Sequence, residues 1–187
     1  MSLHLITAPA SEPITTAEAK TQCRVDDSDH DTEIAALIDA VIAKYDGRDG
    51  IIGRCIISQT WELRLPGFCT PIKIPLPPFV SLTSVKYLET DGTTETTVAS
   101  TVYEVVDRGF GPALLQPKYG QTWPSVTMAT REDAVRVKFV AGYASASVIP
   151  PSLKSAMLLE IEQLYDGHAQ FEAAIVALRM PLVASWF

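Results

Sequence analysis

The spacing of apolar positions changes character along this chain. Up to residue 14 it is irregular: Pro9 and Pro13 block regular structure, and residues 1–14 read as an N-terminal arm. Thr15 and Glu18 then form a capping box, in which the Thr15 hydroxyl takes the third helical amide and Glu18 reaches back to the cap. A short helix is predicted from there to about Val25, with Ala17, Ala19, Cys23 and Val25 on its apolar side. The acidic run 26–33 interrupts it and opens a second helix, whose N-terminal dipole favours negative charge. Ile34, Leu37, Ile38, Val41, Ile42 and Tyr45 recur at helical spacing, the clearest amphipathic stripe in the chain. Gly47, Gly50 and Gly53 weaken its far end.

From residue 56 the period drops to two. Short segments rich in Val, Ile, Thr and Tyr predict strands over 57–65, 72–76, 82–89, 102–107 and 134–141. Turn signals separate them, among them Pro66 and Gly67, Pro77 and Pro78, Asp91 and Gly92, and the stretch from Gly109 to Pro112. In the first of these strands Trp61, Leu63 and Leu65 share one parity, and Glu62 and Arg64 take the other. That predicts a half-buried strand with the tryptophan on one face and the charged pair on the other.

Helical spacing returns after Pro150 and Pro151, which suit a first helical turn. Leu153, Met157, Leu158, Ile161, Leu164 and Tyr165 form the stripe, and Gly167 ends it. A last helix is predicted over about 170–180, stopped or kinked by Pro181. The order of elements predicts an α+β chain, mainly a helical bundle of N- and C-terminal helices with an inserted antiparallel β region. The expected organisation is an arm at 1–14, a discontinuous helical domain of 15–55 plus 150–187, and a β-rich insertion at 56–149.

Composition narrows the function. Apolar residues make up 47% and charged residues 20%, enough for a real core. The formal charge of -7 argues against gripping nucleic acid, which needs clustered Lys and Arg. The first residues show no basic, then apolar, targeting pattern, and no apolar run approaches a membrane span. Cys23, Cys55 and Cys69 form no paired spacing and are odd in number, so the reading is buried or half-buried thiols.

Chemical motifs fail on inspection. Asp27, Asp29, Asp31 and Glu33 imitate the start of a calcium loop, but Thr32 stands at the glycine position and Ile38 at the terminal glutamate position. His4, His30 and His168 have no metal-ligand spacing. Gly109 and Gly111 lack the third glycine of a dinucleotide loop, and no nucleophile elbow or phosphate loop occurs. Glu160 and Glu162 lie two apart on a helix, point in different directions, and cannot act as a pair. The expectation is no catalytic residue, no metal and no cofactor. Trp186 and Phe187 end the chain with two large aromatics, which either fold onto their own core or dock on another chain.

Four stretches in order carry a family resemblance: TTAEAKTQCRVDDSDHDTEIAALIDAVIAKYDG, GRCIISQTWELRLPGF, IPLPPFVSLTSVKYLETDGT and VKFVAGYASASVIPPSLKSAMLLEIEQLYD. Together they span nearly the whole chain, and it resembles the tailed-phage head–tail connector (gp6-like) proteins, also known as phage DNA-packaging adaptors, and their prophage relatives. It departs near the end, with Asp166, Gly167 and His168 where the family often has a Glu-Asn-Arg-like turn, and with Pro181, Leu182 and Val183 where it often has Pro-Tyr-Arg. The resemblance implies a structural adaptor made in a bacterial host cytoplasm and carried in the virion. It implies a ring, expected dodecameric, that meets the portal protein on one side and a stopper or tail-completion protein on the other. DNA passes through the ring without specific binding. It also implies portal contacts from the C-terminal segment, here Leu178, Arg179, Leu182, Trp186 and Phe187, so that deleting 178–187 would spare the fold and abolish portal binding. A different tail-completion protein is the alternative, and a small hydrolase or carbohydrate-binding module on the β region, which needs a polar cleft, is the third reading.

Overall fold

The structure, a computed structural model, describes residues 1–109, 111–125 and 129–184. The elements run β1 (Ser2–Thr7), α1 (Thr16–Cys23), α2 (Asp31–Tyr45), β2 (Gln59–Leu65), β3 (Ile72–Ile74), β4 (Phe79–Leu88), β5 (Glu95–Thr97), β6 (Tyr103–Val106), β7 (Ala113–Pro117), β8 (Val135–Ala141), α3 (Pro151–Asp166) and α4 (Glu172–Arg179). Helix and strand are nearly equal, 29% and 28%, and the strands form two antiparallel sheets. The expected mainly helical bundle is therefore corrected to an α+β fold with a full share of sheet. The bundle reading overweighted the strong helical periods and missed β1, β5 and β7, whose short or mixed patterns carry little signal.

The chain divides into two compact units. The first takes residues 1–8 and 58–142 and holds all eight strands. One sheet runs β1-β2-β8-β4-β5 and the other β3-β7-β6. In the larger sheet Leu63 pairs with Val137, which pairs in turn with Val85, so one face is apolar in register across three strands. Strict alternation in β2 and β8 buries Trp61, Leu63, Leu65, Val135, Val137 and Phe139. Strand β1 corrects the reading of 2–7 as irregular: its residues pair antiparallel with β2, Leu3 opposite Leu63 and Leu5 opposite Trp61. The prolines that suggested an arm lie beyond its end.

The second unit takes residues 9–57 and 143–184 and holds all four helices. Helix α3 packs on α1, α2 and α4. Ile34, Ile38, Val41 and Tyr45 of α2 meet Leu153, Met157 and Ile161 of α3 in one core, which also takes Ile14, Ile52, Ile56 and Leu182. The capping box is present: Thr15 accepts from the Glu18 amide at 3.3 Å, and Glu18 accepts from the Thr15 amide at 3.0 Å. Beyond α2 the chain turns sharply through Gly47 and Gly53, both at positive φ. A side chain at Gly50 would run into the carbonyls of Tyr45 and Asp46. The three glycines thus build a tight return rather than a frayed helix end.

Candidate interaction surfaces

The C-terminal segment was the sequence's choice for a partner contact, and it is anchored in the second unit by polar ties. Glu160 on α3 is 5% exposed, a costly place for a carboxylate. Its two oxygens are satisfied by the Lys44 ammonium and by the Tyr45 hydroxyl, the latter at 2.6 Å. Tyr45 also accepts a hydrogen bond from Arg179 at the end of α4. Burial, followed by the Glu160 carboxylate, raises the Tyr45 hydroxyl far above its ordinary value, so it stays protonated as the donor. Three helices, α2, α3 and α4, meet in this cluster.

Further ties fix the residues after α4. A 3-10 turn, Met180–Leu182, follows directly. The Arg54 guanidinium, 2% exposed, donates to the Leu182 carbonyl, and the Ala184 amide donates to the Ile52 carbonyl at 2.9 Å. Glu162, also buried, accepts from Gln22 at 2.6 Å and joins α3 to α1. The two glutamates serve different helices, as their spacing required.

These ties place the expected contact residues. Leu182 is buried in the chain's own core. Leu178 is half-buried, and Arg179 is half-buried and bonded to Tyr45. Trp186 and Phe187 lie outside the described residues. Among the described residues of this segment the exposed large apolar groups are Met180 and Val183, 66% and 47% accessible, which the helical period alone did not single out. Pro181 was the available signal, because a 3-10 turn after α4 re-aims the residues that follow.

A groove of about 570 Å³ opens elsewhere in the second unit. Its walls are the segment Pro9 to Pro13 and the α2 residues Asp39 and Ile42, with Ile56 and Ile57 at its base. Glu12, Asp39 and Asp46 make it acidic, and Asp46 is committed to the Ile56 amide at 2.6 Å. Among the described residues, no group of three or more His, Cys, Asp or Glu is placed to hold a metal. The acidic run 26–33 is used locally: Lys20 pairs with Asp31 at 2.5 Å and His30 bonds Glu33 at 3.1 Å.

In the first unit, Phe68 and Trp123 stack at 4.8 Å, and the Trp123 indole donates to the Cys69 carbonyl at 3.0 Å. Each ring thereby covers a face of the other. Trp61 lies buried in the sheet as expected, and Glu62 and Arg64 bond to each other at 2.7 Å on the opposite face. No helix of the described residues is long and apolar enough to cross a membrane.

No protein-family model matches the chain, and no curated protein does. Among solved structures it is similar to a chain in the virion of a native gene transfer agent particle, at a TM-score of 0.78 and 24% identity. It is similar also to a chain in the neck of an empty particle of that kind computed with C6 symmetry (TM-score 0.77, 21% identity). A third is in the neck of the native particle computed with C12 symmetry (TM-score 0.72, 22% identity). Each alignment covers 100% of this chain and 97% of the other. The likeness is one of fold, and it extends over both units.

Proposed function

We propose that this chain is a structural component of the neck of a phage-like particle, and within it the adaptor ring between portal and stopper or tail. The observation that carries the reading is the end-to-end fold likeness to chains from particle necks, with almost nothing left over on either side. Those necks were computed with six- and twelvefold symmetry, and a ring of this chain, expected dodecameric, suits such a setting. Ring closure needs two different faces on each copy, and two units of different architecture supply them. The formal charge of -7 suits a channel wall that DNA passes without being held. The C-terminal segment meets the portal through Met180 and Val183, the large apolar groups exposed among its described residues, together with Trp186 and Phe187. The role is structural, without turnover.

Mass spectrometry of purified particles, with DNA-filled tailless heads as comparison, tests this. Many copies per particle, retained on the tailless heads, support the portal-side adaptor. A chain absent from particles and free in the lysate refutes it.

A further inference from the structure

Charge is unevenly divided in this chain. Residues 1–8 and 58–142 carry eight basic and eight acidic side chains, so the whole formal charge of -7 falls on the helical unit. Within the neutral strand unit the bases are gathered. The registers of β2, β8 and β4 set Arg64 opposite Arg136 and Arg136 opposite Lys86, three cations in one row across three strands. Lys138 follows on the same face, two residues along β8. This is the face opposite the buried Trp61, Leu63 and Val137. Like charges directly opposite one another cost stability, so the row must be offset.

The offset inside the unit is incomplete. Glu62 pairs with Arg64 at 2.7 Å, Glu95 with Lys86 at 3.0 Å, and Asp133 with Arg136 at 2.8 Å. Arg136 reaches Glu95 as well, and Arg131 shares Asp133. Lys138 lies opposite Glu62 in the β2–β8 register, but Glu62 turns to Arg64 and Lys138 makes no ion pair among the described residues; the Arg136 Nε is buried without an acceptor. A surplus of cations thus stands on the outer face of a sheet in an acidic protein.

The complementary surface is carried by the same chain. Asp26, Asp27 and Asp29 are exposed between α1 and α2, and of their carboxylates only that of Asp27 has a hydrogen-bond partner among the described residues, the Asp29 amide. We propose that the outer face of the five-stranded sheet, centred on Lys138 and Arg136, docks the acidic α1–α2 segment of a second copy of this chain. The two surfaces differ, so the contact is head-to-tail and propagates until rotation closes it. It deepens the neck reading and rests on it for the need to self-associate.

The test is a charge swap read by sedimentation velocity of the full chain. Wild type should self-associate in low salt, with affinity at least tenfold weaker in 0.5 M NaCl. Lys138→Glu and the double variant Asp26→Lys, Asp29→Lys should each lose association tenfold or more, with Lys138→Gln giving a smaller loss if the glutamate does not fold. Mixing the two reversed proteins should restore association, because each then offers the other an opposite surface. A wild type that stays monomeric in low salt, or a mixture no more associated than its parts, overturns the inference. So does retention of duplex DNA that Lys138→Glu abolishes, which would give the face to nucleic acid. Reversed variants still captured by immobilised portal protein show that the neck reading stands apart from this contact. Charge-dependent assembly by a chain absent from particles fails the neck reading alone.

Discussion

Leu182→Ala separates anchoring from docking in the C-terminal segment. Leu182 is 7% exposed and belongs to the same core as Ile34, Tyr45 and Met157. Truncating such a leucine loses its transfer free energy and leaves a cavity, about 2–5 kcal/mol in comparable sites, and about 3 kcal/mol is expected here. The Leu182 carbonyl remains in the variant, so the buried Arg54 guanidinium keeps this acceptor and the cost is one of packing. All four helices lie in the unit that contains Leu182, so thermal unfolding followed by far-UV circular dichroism reports that unit. At about 4–8 °C per kcal/mol for a unit of this size, the midpoint should fall by roughly 12–24 °C. Val183→Ala and Met180→Ala, at exposed positions, should move it by no more than the equivalent of about 0.5 kcal/mol. A Leu182→Ala midpoint indistinguishable from that of Val183→Ala would refute the reasoning. Deleting 178–187 therefore probes folding as well as partner binding, and Met180 and Val183 are the positions at which docking is tested alone.

Three further outcomes are expected. Burial, with Glu162 and Asp166 nearby, pushes the Cys23 thiol up to about 11; at pH 8 only about one in a thousand is thiolate, against about one in four for an ordinary thiol. Iodoacetamide followed by mass spectrometry should therefore label Cys23 at least about a hundredfold more slowly than a cysteine in an unfolded reference peptide, and equal rates would contradict the burial argument. Glu18 is held below its ordinary 4.5 by Lys154 first and by the Thr15 amide next, so its stabilisation is present above that value and is lost as pH falls through the depressed one. Glu18→Gln should melt below wild type at pH 7, and the gap should narrow as pH drops below 4.5; a constant gap across pH would discount the ionised pair. Gly50→Ala should cost at least about 1–3 kcal/mol in urea unfolding, because the atoms it meets are backbone, whereas Gly67→Ala, which meets nothing, should be near neutral.

Where one physical rule dominated, the chain could be read directly. The capping box at Thr15, the α2 stripe and the proline start of α3 all appear where spacing placed them. Alternation in β2 correctly turned Trp61 inward and Glu62 and Arg64 outward. Strands β5 and β7 escaped because Glu-Thr-Thr and Ala-Leu-Leu-Gln-Pro carry no apolar alternation, whereas the equally short β3 sets Ile72 and Ile74 on one parity. Strand β1 escaped because its pairing with β2 is a long-range fact, and most of its side chains stay exposed. The candidate surface was legible only in part. Arg179 was singled out, but that it bonds Tyr45 beside a buried Glu160 depends on three helices meeting. The cationic row on the sheet was invisible, since Arg64, Lys86 and Arg136 become neighbours only through strand register.

The helical unit is assembled from two stretches of chain, 9–57 and 143–184, and this has a consequence in time. Helices α1 and α2 leave the ribosome with Ile34, Ile38 and Val41 only partly covered, by Ile14, Ile52 and Ile56 of the same stretch, because their partner α3 lies beyond the 85 residues of the strand unit. At about 5–20 residues per second, the intervening segment takes roughly 4–17 s to synthesise. During that interval the side of the α2 stripe that α3 covers is an unsatisfied surface on every nascent copy. On one message read by several ribosomes, such stripes are presented close together before any copy can close its own core. The order of segments along the chain thus makes the strand unit a timer that sets when the helical unit can shut.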